Sequence, residues 1–334
     1  MRLFQLLLLS LLLAAATPAA AQLCPPTLVK GGPAVRGLYV SGTETIVGNN
    51  AKEAALLNYA HAQGFNYLML YGVKTLLTVP SDPLDPQYAF NRSELGSFIR
   101  AAHEFYHIDV GVNVSSQSAA VPILDFLDWP LVVFDPLMRF DAVHYESEYW
   151  NGDTDWATWS NDLAWLDGQC DAEGLICEVY LGNPSHDTSP VGPNATGQAE
   201  LDFIVAHADR IQVTYYRPDP MTPAPNLYLD RTWRLHYLAH AAGPARIVVL
   251  LNGKPGAEPN MFNWLMSQPG TMAWRLAQPF RIWRNCAHGH IDNLLNDTDG
   301  LGLPLNNIEV LGYSWYRYPS IVPVLRKAAG AAER

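Results

Sequence analysis

Phe140-Asp-Ala-Val-His-Tyr-Glu-Ser-Glu-Tyr-Trp150 is the stretch on which the reading of this chain turns. Its composition is that of a β-strand, yet His144, Glu146 and Glu148 recur at every second position towards its end. Side chains on a strand alternate faces, so these three are expected on one side, with Val143 and Tyr145 on the other. A strand covered on both faces reads as a nearly continuous apolar run. Two carboxyls and an imidazole on one face cost several kcal/mol in desolvation unless they are paired or open to a cleft. Such a face suits the carboxyl end of a strand where chemistry is done.

Seven further runs of this type flank that stretch: 37–41, 66–72, 109–114, 176–182, 210–216, 246–252 and 309–316, with 142–149 the fourth of eight. The intervals have helical spacing of apolar residues. Helices are expected over 51–63, stopped by Gly64, and over 93–107, 155–166, 198–207 and 227–242. The stretch 122–138 is more broken, and 259–295 has room for two helices. Eight β/α units that close on themselves make a single (β/α)8 TIM barrel over residues 22–334. An open doubly wound sheet calls for a glycine-rich phosphate loop after the first strand, and Ser41-Gly-Thr-Glu-Thr45 is not one.

The first residues carry a different message. Met1-Arg2, a leucine-rich run to Leu13 and the small residues Ala19-Ala20-Ala21 read as a secretory signal peptide over 1–21. Its apolar core is short for a membrane span. A secreted or periplasmic protein without a membrane anchor is expected. The net charge of −11 in 334 residues argues against nucleic acid as a partner. In an oxidising compartment the four cysteines suggest two disulfides, Cys170 with Cys177 and Cys24 with Cys286. No metal ligand pattern stands out, although His288 and His290 lie near Cys286, and no organic cofactor is called for.

Barrel enzymes place their chemistry at the carboxyl ends of the strands. Read in order, those ends offer Tyr39 and Glu44, Tyr71, Asn113, Glu146 and Glu148, Tyr180 and Asn183, Tyr215, Tyr216 and Arg217, Asn252 and Lys254, then Trp315, Tyr316 and Arg317. Aromatic rings stack on the C–H faces of sugars, while amides and carboxylates serve their hydroxyls, so a carbohydrate is the expected ligand. Cleavage of a glycosidic bond ordinarily uses two carboxyls on opposite sides of it. The seventh strand ends in Asn252 with no carboxylate before Glu258. All the acidic machinery would then come from strand four, which favours a substrate that supplies its own nucleophile, such as an N-acetyl group.

Phe140–Tyr149 resembles the fourth-strand signature of family 18 glycoside hydrolases, the chitinases and endo-β-N-acetylglucosaminidases, Phe-Asp-Gly-(Ile/Leu/Val)-Asp-x-Asp-x-Glu-Tyr. The resemblance implies a retaining, substrate-assisted mechanism with Glu148 as acid/base, Glu146 orienting the acetamido group, and Asp141 and His144 in support. Val213-Thr-Tyr215 resembles the sixth-strand Met-x-Tyr, and Trp315 falls where that family places the floor of its sugar subsite. Tyr71, Asn113, Tyr180, Arg217 and Asn252 complete the expected substrate contacts. The chain departs from the pattern at His144 and Glu146, where aspartates are usual, and lacks the third-strand Ser-x-Gly-Gly. Two alternatives remain: a carbohydrate-binding barrel that does not cleave, and a glycosidase of other specificity drawing a loop carboxylate such as Glu44 or Glu258.

Overall fold

The computed structural model describes residues 33–182, 195–216, 218–220, 237–255, 260–285 and 307–316. Eight parallel strands close into a barrel in sequence order: β1 Val35–Val40, β2 Tyr67–Leu70, β3 Asp109–Val114, β4 Ala142–Tyr145, β5 Ile176–Leu181, β6 Arg210–Tyr215, β7 Ala245–Asn252 and β8 Ile308–Tyr316, which pairs back to β1. All eight expected strands are present, and the expected fold is the observed one. The largest departure is at β4, which stops at Tyr145. Glu146 continues the ladder by one bond to the Val114 carbonyl, and Glu148 already belongs to the turn before a 3-10 helix at Tyr149–Asn151.

Helices cover the outside, and their ends are written locally. Asn49, Asp85, Ser116 and Asp155 each accept a backbone N–H in the first turn of the helix they precede. Gly174, at φ 68°, closes the helix Trp156–Glu173. The broken stretch before β4 resolves into helices Gln117–Leu127 and Pro130–Phe134 and a 3-10 turn. The late segment supplies two, Phe262–Ser267 and Met272–Asn285. Most of the helix expected over 227–242 lies outside the described residues, as do the leader, Cys24, Cys286, Asn183, Arg217, Glu258, His288, His290 and Arg317.

The residue before each even-numbered strand staples the bottom of the barrel. Asn66 accepts the Arg36 N–H at 2.7 Å, Asp141 that of Val110 at 2.6 Å, and Asp209 that of Cys177 at 2.8 Å. Asn307 donates to the carbonyls of Ala241 and Gly243, just ahead of β7. Asp141 is therefore part of this repeating device, at the end of the barrel opposite the strand tips. Its Oδ2 also lies 2.8 Å from Nε2 of His103 on the helix Pro86–Tyr106. Its expected supporting role in catalysis is corrected accordingly: odd positions of β4 face the helices.

Alternation splits the core in two. One cluster lies between strands and helices and holds Leu38, Val143, Tyr145, Cys177, Tyr215 and Trp315. The other fills the barrel interior and holds Tyr39, Tyr67, Met69, Ala142, Tyr180, Val248 and Leu250. Gly111 makes the interior possible, because a Cβ there would stand 2.1 Å from the Tyr67 hydroxyl. Tyr67 thereby crosses the lumen from β2 to reach Glu178 on β5, at 3.3 Å. Cys170 and Cys177 are both buried and both free thiols, so the expected disulfide is not formed here; proximity of Cys170 and then burial push the Cys177 thiol pKa up.

Candidate functional site

The interior has two storeys. The lower one is a buried polar layer between β4, β5 and β6. Glu178 and His144 are fully buried. Arg210 Nε donates to Glu178, and the guanidinium sits 4.4 Å from the Tyr67 ring centroid, a cation–π contact. Nδ1 of His144 lies 2.8 Å from Glu178 Oε1, at ion-pair distance but without the alignment of a hydrogen bond. Burial alone would raise the Glu178 pKa; the Arg210 charge and then His144 overcome it and hold the carboxyl at about 2. The Arg210 charge thus favours the carboxylate form of Glu178.

The upper storey is where β4 ends. Glu146 keeps 27% of its side chain exposed and points up the lumen. Its Oε2 accepts from the Tyr71 hydroxyl and, at 2.8 Å, from Asn113 Nδ2. Burial, and secondly the charge of Glu148, push its pKa up to about 8. With both donors on Oε2, the proton of the neutral carboxyl belongs on Oε1. Tyr39 stands beside this group, with its hydroxyl 3.2 Å from Nε2 of His144 and its ring centroid 5.5 Å from that of Tyr71. Burial, then Glu178 and Glu146, raise the Tyr39 pKa well above the usual phenol value, so it keeps its proton.

Aromatic rings wall the mouth. Tyr316 packs 5.9 Å from Tyr39 and 6.3 Å from Tyr216. On the other side Trp150 lies 5.8 Å from Tyr180, over the end of β5, where any Cβ at Gly182 would come within 2.8 Å of its ring. The turn that carries Glu148 is pinned from below. Trp159 Nε1 donates to the Ser147 carbonyl at 2.8 Å, and the Tyr149 hydroxyl donates to buried Glu200 at 3.2 Å. Glu148 itself is half-buried and accepts from Asn151 Nδ2.

The expected site residues divide cleanly. Glu146, His144, Tyr71, Asn113 and Tyr180 come together in the lumen. Asn252 is fully buried, and its Oδ1 accepts the Lys254 N–H at 2.9 Å, which closes the loop after β7. Tyr215 and Trp315 were expected against the sugar and are not there. Both belong to the outer cluster, and the fully buried Trp315 donates its indole N–H to the Leu276 carbonyl at 3.1 Å. The ring on the lumen side is in each case the next residue along, Tyr216 and Tyr316. Parity carried the signal: Gln212 on β6 and Ser314 on β8 are fully buried polar residues of the lumen row. Glu178 and Arg210 were also overlooked: a glutamate inside the apolar run Ile-Cys-Glu-Val-Tyr-Leu is the one signal that the sequence offers, and the register of β5 on β6 supplies its partner. Among the described residues, no group of three His, Cys, Asp or Glu side chains is placed to hold a metal ion.

No protein-family model and no curated protein matches the chain. Among solved structures, GH5_18 from Streptomyces cattleya in complex with Manβ1-4GlcNAc aligns over 86% of this chain and 71% of its own at 13% identity, TM-score 0.47. A plant class V chitinase mutant from Cycas revoluta with (GlcNAc)3 aligns over 87% and 96% at 8% identity, TM-score 0.43. A Rhizomucor miehei β-1,3-glucanosyltransferase mutant with laminaritriose aligns over 84% and 86% at 12% identity, TM-score 0.42. Likenesses of this depth go no further than the barrel, and a barrel by itself assigns no activity.

Proposed function

We propose that this chain is an exported glycoside hydrolase that acts on an N-acetylhexosamine-containing polysaccharide or glycan by a substrate-assisted, retaining route. One observation carries the reading: Glu146 is a part-exposed carboxyl, its pKa pushed up to about 8 by burial and then by Glu148, inside a mouth walled by Tyr39, Tyr71, Trp150, Tyr180, Tyr216 and Tyr316. A general acid works best when its pKa lies near the working pH. We therefore assign the proton donor to Glu146, where the sequence pattern had pointed to Glu148. Oε1 of Glu146 gives its proton to the glycosidic oxygen as the bond to the anomeric carbon breaks. The acetamido carbonyl oxygen of the same sugar closes on that carbon, and Glu148, in the pinned turn above, accepts the acetamido N–H. Water then opens the cyclic intermediate and returns a proton to Glu146. The chain's own groups suffice for each step, so no metal or organic cofactor enters.

The test uses N-acetylglucosamine oligomers with reducing-end release and isothermal titration side by side. Glu146→Gln should bind and fail to cleave, and an aryl glycoside whose leaving group needs no proton should recover turnover in Glu146→Gln but not in Glu148→Gln. Undiminished cleavage of oligomers by Glu146→Gln would reject the assignment. A carbohydrate-binding barrel without turnover is the second reading. It is favoured by the fact that both carboxyls already accept hydrogen bonds from protein side chains, Tyr71 and Asn113 on one and Asn151 on the other. Binding without release by the wild-type protein would decide for it.

A further inference from the structure

Beneath Glu146 lies a buried acid that the proposed chemistry does not use. Glu178 is fully buried, clamped by Arg210 from β6 and Tyr67 from β2, and its Oε1 stands 2.8 Å from Nδ1 of His144. An imidazole nitrogen that close to a carboxylate cannot present its lone pair there, so Nδ1 carries the proton. The other nitrogen is then the acceptor. Nε2 lies 3.2 Å from the oxygen of the Tyr39 hydroxyl, which keeps its proton, and 3.9 Å from Glu146 Oε2, so in this tautomer it accepts from Tyr39 and has no N–H for Glu146.

We propose that Glu178 is a positioning residue for Glu146, acting through His144: it fixes the imidazole as the Nδ1–H tautomer and so turns a lone pair, rather than an N–H, towards the acid. The inference deepens the assignment of Glu146 as proton donor and rests on it. A lone pair beside Glu146 disfavours its carboxylate form, whereas an N–H at the same place would stabilise that form. The groups facing Glu146 are Tyr39 from β1, Tyr71 just past the end of β2, Asn113 from β3, His144 on its own strand, and Glu148 in the turn that follows. Those facing His144 are Tyr39 from β1 and Glu178 from β5, with Arg210 and Tyr67 behind the latter. Within this set Glu178 alone acts on Nδ1.

The experiment is nitrogen NMR of the protein carrying ¹⁵N-labelled histidine, with the His144 signals assigned by their loss in His144→Gln. Wild type should show Nδ1 protonated and Nε2 bare at neutral pH. Glu178→Gln should release the tautomer and populate Nε2–H. In the same variant the alkaline limb of the pH–rate profile on N-acetylglucosamine oligomers should move acidward by about one pH unit, which means roughly tenfold less protonated acid well above the midpoint. If the single variant does not fold because Arg210 is left buried and unpaired, Glu178→Gln with Arg210→Gln removes both charges together and should give the same tautomer release. A wild-type His144 carrying Nε2–H would overturn the proposal, as would an unchanged tautomer in a folded variant. Absence of hydrolysis by wild type would instead count against the glycosidase reading and leave the NMR outcome standing on its own.

Discussion

Replacing Glu146 by Gln should change how the protein's stability responds to pH, before any substrate is added. In the folded chain burial, then the neighbouring Glu148, hold the Glu146 carboxyl pKa at about 8, against 4.5 for a free glutamate. The folded state therefore grips the proton more tightly than the unfolded chain does. Its stabilising share is complete below pH 4.5 and is lost as pH rises through about 8. At 1.36 kcal/mol for each pKa unit the loss is on the order of 5 kcal/mol at its ceiling, a large share of the 5–15 kcal/mol typical of a whole domain. Gln has the shape of the protonated acid: its amide oxygen can accept from Tyr71 and Asn113, and its amide nitrogen replaces the protonated oxygen. Urea unfolding at pH 5 should thus give nearly equal free energies for the two proteins. At pH 8.5 the variant should be the more stable by several kcal/mol. Other groups titrate in this window, His103 among them, but they are common to both proteins and cancel in the difference. A difference that stays constant from pH 5 to 8.5 would refute the claim that Glu146 is held neutral.

Other consequences are testable in the same way. Glu148→Gln removes the second cause of the raised Glu146 pKa, so a carbon-detected titration of Glu146 should show its midpoint fall below about 8. Asp141→Asn weakens a barrel staple and should lower stability by about 1–3 kcal/mol with turnover per folded molecule intact. Burial alone would lower the His103 pKa, but Asp141 raises it by hydrogen bond and charge, so this pair stabilises below pH 6.5 and loses that contribution as pH rises through the raised value; thermal melts of the variant should lack the trend. Gly111→Ala forces a methyl to within 2.1 Å of the Tyr67 hydroxyl, and a loss of roughly 1–3 kcal/mol in urea unfolding is expected. Trp150→Ala should weaken oligosaccharide binding in calorimetric titration at least tenfold, while Trp315→Phe, which alters only the outer layer, should leave affinity unchanged.

The barrel was legible because its signal is local and repeated. The strands are short apolar runs, four of the helices between them begin at the caps Asn49, Asp85, Ser116 and Asp155, and β3 matched its expected limits at Asp109 and Val114. The site was half legible. Glu146, Tyr71, Asn113 and Tyr180 follow from their place at strand ends, since a parallel barrel gathers those ends whatever the sequence between them. Tyr215 and Trp315 were misplaced by one residue each, and one residue on a strand is a change of face. A motif match fixes position along the chain, but the face is set by parity with buried neighbours such as Gln212 and Ser314. Asp141 misled for the same reason: it matches a motif position yet serves the opposite end of the barrel. The Glu178–Arg210 pair was hidden because each residue alone looks like a strand-edge charge. Only the register of β5 on β6 makes them partners.

The central claim is that a neutral Glu146 meets the scissile bond of a sugar held in the aromatic mouth. A crystal structure of Glu146→Gln with an N-acetylglucosamine oligomer tests it most directly. The glycosidic oxygen should lie within hydrogen-bond reach of the substituted side chain, with sugar rings against Trp150 or Tyr316. An oligomer seated elsewhere on the protein, or one in this mouth whose glycosidic oxygens all lie beyond that reach, would contradict it.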